Sequence, residues 1–225
     1  MFRLLFLLFP LGVACFAAKP TDYSTDIVVL DGGKVVQTMK LYVSGQSYST
    51  DIPVTANAWQ SRLGGDADLY VTVLDARTMV MPYSTYFGGV AEELGAITSM
   101  GNDLVVAHGL TGSSNFPLTG QAWRTSTAGP MKPFFSILDI RNPKASQLVY
   151  STYIDLDMPL SVDDQGNVYL FGETRSPTYP VTAGAFQTQS PGTPAFVLTR
   201  LQPRSAETAA AQWTRNTYES EEQQR

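Results

Sequence analysis

The chain has 225 residues and a formal net charge of −5, with 15 Lys and Arg against 20 Asp and Glu and no basic cluster. That balance argues against nucleic acid or an anionic lipid surface as a partner, since both are bound through clustered Lys and Arg. Charged residues make up only 16% of the chain, below the roughly 25% of ordinary soluble domains. Ser, Thr, Gly, Pro and aromatics are plentiful, which suits short strands joined by many turns rather than amphipathic helices.

Residues 1–18 read as an export signal. Arg3 supplies the positive charge, residues 4–13 an apolar stretch broken at Pro10 and Gly12, and Ala14, Cys15, Ala17 and Ala18 the small residues of a cleavage region. The stretch is about half the roughly 20 apolar residues that a spanning helix needs. The expectation is a secreted, periplasmic or cell-surface protein, with a retained N-terminal anchor as the alternative. Cys15 is the only cysteine, so cleavage after Ala17 or Ala18 leaves neither disulfide nor thiol chemistry. The segment Gly12-Val13-Ala14-Cys15 is also similar to a bacterial lipoprotein signal, with Gly12 where Leu is usual. On that reading Cys15 is the lipidated residue and acyl chains supply the only membrane affinity.

Beyond the signal the sequence repeats itself. Residues 41–60 (LYVSGQSYSTDIPVTANAWQ), 105–124 (VVAHGLTGSSNFPLTGQAWR) and 168–187 (VYLFGETRSPTYPVTAGAFQ) align without a gap, at spacings of 64 and 63. The shared positions are Gly45, Gly109 and Gly172; Ser49, Ser113 and Ser176; Pro53, Pro117 and Pro180; Thr55, Thr119 and Thr182; and the aromatics Trp59, Trp123 and Phe186. An apolar stretch follows each, at 70–75, 134–139 and 196–201. Then comes Tyr-Ser-Thr-Tyr at 83–86 and 150–153, degraded in the third copy to residues 213–218. Residues 94–100 and 160–164, with Gly101-Asn102 and Gly166-Asn167 after them, open the second and third copies. Gly and Asn tolerate the positive φ of tight hairpins. Each copy therefore predicts four short strands, and a four-stranded unit at a fixed period predicts propeller blades. No helical period is sustained.

The string Gly-x-Thr-x-Ser-x-x-Phe-Pro-x-Thr-x-x-Ala-Phe-Gln, an apolar strand and then Tyr-Ser-Thr-Tyr-Phe-Gly-Gly resembles the bacterial seven-bladed β-propeller repeat family, often labelled SBBP. Gly109 to Trp123, Gly172 to Gln187 and Tyr83 to Gly89 carry the likeness, which covers roughly residues 41–201. The resemblance implies a bacterial, secreted or cell-surface propeller, and architecture rather than an activity. The third copy departs from it in lacking Tyr-Ser-Thr-Tyr-Leu-Gly-Gly, and residues 21–40 match the end of a preceding unit only loosely. The expected fold is all-β, with about three four-stranded blades near 27–93, 94–157 and 158–218 inside a domain at 19–203. Residues 204–225 are expected to be a polar tail, partly last strand or disordered. Known rings use about four to eight blades, so three leave the ring incomplete, with open flanks that invite self-association.

The chemistry-bearing residues are few. His108 is the only histidine, and Ser44 and Phe171 take its place in the other copies, which argues for a structural role. One His and no cysteine after cleavage disfavour a Ser-His-Asp triad, a thiol nucleophile or an ordinary zinc site. Asp66 and Asp68, Asp155 and Asp157, and Asp163-Asp164 with Asn167 form acidic clusters, but none has calcium-loop spacing, and they read as turn formers. No catalytic, metal or cofactor residue is assigned. The Ser/Thr-rich loops at 46–51, 110–115 and 173–178 occupy equivalent places, next to Tyr48, Phe116 and Tyr179. Their recurring Ser49, Ser113 and Ser176 read as loop-stabilising hydroxyls, so a binding site would use the positions that vary. The functional expectation is a scaffold or binding module for a protein or glycan. The alternative is an envelope hydrolase or lyase acting on polysaccharide.

Overall fold

The computed structural model describes residues 40–201, apart from 76–77, 127–128, 157–159, 164–166, 183, 190–191 and 193, together with the backbone of 19–25, 30–31, 34–35, 202 and 212–219. The signal, Cys15, Asp157, Asp164 and most of the tail lie outside the described residues. Among the described residues, apart from one turn of 3-10 helix at Lys144–Ser146, the regular elements are all strands.

The strands form three four-stranded antiparallel sheets, each following the chain from one edge to the other. The first sheet begins with β1 (Lys19–Thr25). A two-stranded hairpin of β2 (Leu30–Asp31) and β3 (Lys34–Val35) follows, and then β4 (Lys40–Ser47), β5 (Asp68–Asp75) and β6 (Tyr83–Phe87) complete the sheet. The second sheet runs through β7 (Glu93–Ser99), β8 (Leu104–Thr111), β9 (Lys132–Asp139) and β10 (Leu148–Tyr153). The third runs through β11 (Leu160–Val162), β12 (Val168–Thr174), β13 (Ala195–Gln202) and β14 (Gln212–Glu219). The turn expected at Gly101-Asn102 links β7 to β8, and Gly101, Asn102 and Asp103 all have φ between 50° and 74°. The first sheet opens at Lys19, well ahead of the repeated motif.

Strand register refines the repeat. Gly45 faces Tyr70, Gly109 faces Phe134 and Gly172 faces Val197. The sequence alignment had put Phe196 at that third place. The register moves it by one, and a one-residue shift exchanges the two faces of a strand.

The sheets pack face to face. Leu69, Val71, Val73 and Phe87 of the first meet Ile97, Val105, Ala107, Phe134 and Leu138 of the second. The other face of the second, with Val106, Phe135, Ile137 and Tyr150, meets Val168, Leu170, Val197 and Leu201 of the third. β7 lies against β1, β4 and β5 and also touches β11, so the opening strands of the three sheets lie together. The sheets do not join into a closed ring.

Candidate functional site

The loops that follow the second strand of each sheet are built alike. The N–H groups of Ser49, Ser113 and Ser176 donate to the hydroxyls of Ser47, Thr111 and Thr174 at 3.1, 2.9 and 3.1 Å. Each is a short hydroxyl turn that ends its strand. The motif then runs along the outer strand of its own sheet. In the first sheet Ser84 Oγ donates to the Pro53 carbonyl at 2.9 Å, Ser84 N to Thr55 Oγ1 at 3.0 Å and Gln60 N to Thr85 Oγ1 at 2.8 Å. The second sheet repeats this with Ser151 to Pro117 at 2.6 Å, Ser151 N to Thr119 Oγ1 at 3.2 Å and Arg124 N to Thr152 Oγ1 at 2.9 Å. In the third unit Ala185 N donates to the Thr182 carbonyl at 3.1 Å, as Ala58 and Ala122 do to Thr55 and Thr119. Gly109 is opposite Gly95, and a Cβ on it would lie 2.6 Å from the Gly95 Cα.

The repeated aromatics mark the joints between units. Trp59 packs on Phe87 at 5.1 Å in the first core, and Trp123 stands edge-on to Tyr179 of the third unit at 5.5 Å. Phe186, their counterpart, is 85% exposed.

The loops at 46–51 and 110–115 converge on the connector at 88–93 between the first two sheets. Gln46 Nε2 and Tyr48 Oη donate to Glu92 Oε1 at 2.8 and 3.0 Å. Val90 N donates to Asn115 Oδ1 and Ala91 N to Ser113 Oγ, both at 2.9 Å. The third loop is reached by Arg124, whose guanidinium lies 3.5 Å from Ser176 Oγ. Tyr48 is 62% exposed on this rim, and its hydrogen bond to Glu92 raises the phenol pKa.

Beneath the rim lies a buried carboxyl pair. Glu93, at the start of β7, accepts from Thr111 Oγ1 at 2.6 Å, Ser113 Oγ at 2.5 Å and Gly89 N at 3.0 Å. Asp68, at the start of β5, accepts through Oδ2 from Gln60 Nε2 at 2.6 Å and Gly64 N at 2.8 Å. Its Oδ1 is buried without a partner. Both carboxyls crowd the place that a Cβ on Gly88 would take, with Asp68 Oδ1 at 2.6 Å and Glu93 Oε2 closer. Burial first, and the adjoining Glu93 after it, push Asp68 up to about 7. Below that value Asp68 is neutral beside Glu93. Neither side chain is exposed, so the pair joins two sheets and does not present an acid and a base to a substrate.

The other acids are scattered. Asp66 is exposed while Asp68 turns inward, so the Asp-x-Asp does not converge. Asp155 pairs with Arg124 at 2.7 Å, and Asp163 accepts from Asn167 N, Asn167 Nδ2 and Tyr169 Oη at 2.8, 2.6 and 3.0 Å. His108 is half-buried on β8, opposite Ala96 and Phe135. Among the described residues no group of three or more His, Cys, Asp or Glu could hold a metal, and no helix is long and apolar enough to cross a membrane. Sequence reasoning missed the partnership of Asp68 with Glu93. The available signal was Gly88-Gly89, a pair of residues that allows close backbone approach. A scan against protein-family models and a search of curated proteins found no match to the chain.

Proposed function

We propose that the chain is an exported, cell-surface or secreted repeat protein of the SBBP kind, whose three sheets are consecutive propeller-type blades and whose loop rim is a binding module for a glycan. The assembly of opening strands at one place and the equivalent roles of the motif residues in the first two sheets support the blade reading. One observation carries the binding reading. Tyr48, Gln46 and Glu92 form a hydrogen-bonded group on an open rim, drawn from positions that vary between units. An exposed aromatic flanked by an amide and a carboxylate suits a ligand that offers a flat apolar face and many hydroxyls. The fixed hydroxyls beneath are already engaged, Ser49 with Asp51, Ser113 with Glu93 and Ala91, and Ser176 with Thr178.

A glycan array tests this. Binding is expected, with loss of about tenfold or more on Tyr48→Ala, or on Glu92→Gln, which corresponds to about 1.4 kcal/mol. Failure to bind any glycan, or equal binding by Tyr48→Ala, rejects the rim as a glycan site. Capture of a protein partner in its place moves the reading to protein recognition. For export, N-terminal sequencing of the mature protein should begin near residue 18 or 19. A lipid-modified Cys15 at the N-terminus would instead establish the anchored form.

A further inference from the structure

The connector between the first two sheets hangs on side chains. The four consecutive amides at 88–91 donate to Gln60 Oε1, Glu93 Oε2, Asn115 Oδ1 and Ser113 Oγ at 3.1, 3.0, 2.9 and 2.9 Å. Three of these acceptors lead back to the buried acids. Gln60 donates to Asp68 Oδ2, Glu93 is itself one of the pair, and Ser113 donates to Glu93 Oε1. Backbone bonds hold the far end, where Glu93 N donates to the Ala67 carbonyl and Gly112 N to the Glu92 carbonyl, both at 2.8 Å. Asp68 and Glu93 are fully buried, and Asp68 Oδ1 has no hydrogen-bond partner among the described residues. The repeat does not call for acids here. Lys132 and Ala195 take the place of Asp68 on β9 and β13, opposite Thr111 and Thr174 as Asp68 is opposite Ser47. At the second joint Arg124 stands where Gln60 does and pairs with Asp155 at 2.7 Å. Opposite charges meet there, and two acids meet at the first joint.

We propose that the Asp68–Glu93 pair is a proton-operated latch: the connector at 88–93 stays closed while Asp68 keeps its proton and opens locally when that proton leaves. Two like charges in a buried place that offers Oδ1 no donor repel each other and lack the solvation that water gives. The acids themselves sit on strands fixed by their ladders, Asp68 opposite Ser47 and Glu93 opposite Thr111. The piece that yields is therefore 88–92, where Gly88-Gly89 supplies backbone freedom. Opening admits water to both acids. It also draws Glu92 away from Gln46 and Tyr48, so the rim group is assembled only while the connector is closed. With the connector closed Asp68 is pushed up to about 7, and once solvated it releases its proton near pH 4, at about the ordinary carboxyl value. Opening is thus coupled to proton release and becomes easier as pH rises between those values. The other ionisable groups around the pair are Tyr86 on β6, Tyr153 on β10, Lys132 on β9, Glu92 on the rim and the exposed Asp66. The two phenols are raised, by burial first and by nearby acids after it, so they stay neutral in this range. Lys132 is opposite Thr111, with its ammonium 5.8 Å from the Tyr153 ring centre.

Amide hydrogen exchange of wild type and Asp68→Asn, corrected for the intrinsic pH dependence of exchange, tests the latch. In wild type the protection of Gly89, Val90 and Ala91 should fall by about tenfold or more between pH 5 and pH 7 and then level off. These amides should remain less protected than Val106 and Ala107 in the core of β8. In Asp68→Asn their protection should be flat with pH. A flat wild-type profile overturns the proposal, as does a full-sized fall in Asp68→Asn. Connector amides as strongly protected as those of β8 at every pH would show that the connector opens only with the whole chain, and would overturn it too. If Asp68→Asn misfolds, Glu93→Gln decides, because it removes the like charge: a smaller fall supports the pair and an undiminished one overturns it. No ligand is added, so the outcome is independent of the glycan reading.

Discussion

Asp68 shows what a single buried side chain does to this molecule. Its Oδ2 is held by Gln60 and Gly64, while its Oδ1 and the Glu93 carboxyl crowd the same place beside Gly88. A group that keeps its proton up to about pH 7 when folded but releases it near pH 4 when unfolded favours the folded state below that window. The contribution is lost as pH rises through the folded pKa. Asp68→Asn keeps a donor toward Glu93 without a titrating proton. Thermal melts should show wild type losing stability relative to Asp68→Asn between about pH 4 and pH 7, with the two curves converging at the acidic end. Parallel curves across that range would mean that Asp68 is not the titrating group. Elsewhere a buried polar group is simply satisfied. Burial pushes the Tyr83 phenol up to about 12, and its hydroxyl donates to Gln147 Oε1 at 2.9 Å across the joint between the first two sheets.

At the scale of the element, the repeated motif closes a strand edge. An outer strand such as β6 or β10 has unpaired N–H and C=O groups on one side, which is an aggregation hazard when left bare. The Pro-x-Thr segment satisfies them through Thr55 with Ser84, Gln60 with Tyr86, Thr119 with Ser151 and Arg124 with Tyr153. This explains why Tyr-Ser-Thr-Tyr travels with Pro-x-Thr although some 30 residues separate them. The two segments are halves of one hydrogen-bonded device. A double-mutant cycle on Thr119→Val and Ser151→Ala should give a coupling of about 0.5–3 kcal/mol, since contacting residues do not add. Additive effects would show that the two hydroxyl side chains act independently. In the third unit β14 has Arg215-Asn216-Thr217 in place of this motif.

For the whole molecule, the second sheet is the centre of stability because it has a buried face on each side. Phe134 packs on Phe116 at 4.4 Å and on Phe87 at 6.3 Å toward the first sheet, and Phe135 faces the third. Removing a buried Phe costs about 3–5 kcal/mol. Phe134→Ala should therefore lower the unfolding free energy by that amount, and the loss should be seen equally by probes on the first and second sheets. A first sheet that melts on its own at lower denaturant while the second stays folded would show that the joint does not couple them.

The sequence alone determined the kind of element, the number of units and the turns. Alternating Val, Tyr, Phe and Thr bounded by Gly, Asn and Pro leave a chain few options but short strands, and a motif repeated at spacings of 64 and 63 must make the same local contacts each time. Local signals therefore located the motif loops and the hairpin at Gly101-Asn102. Tertiary structure decided the rest. Register had to choose between Phe196 and Val197, because adjacent apolar residues read equally well on either face until a partner strand pins one of them. The pairing of Asp68 with Glu93 is equally invisible in the linear order. The two acids sit in different sheets and come together only because Gly88 lets the connector fold tightly between them. Which sheet face is open depends on what packs over it. The same positions are core in the first two sheets and surface in the third, a distinction that belongs to the packing of sheets and not to the residues themselves.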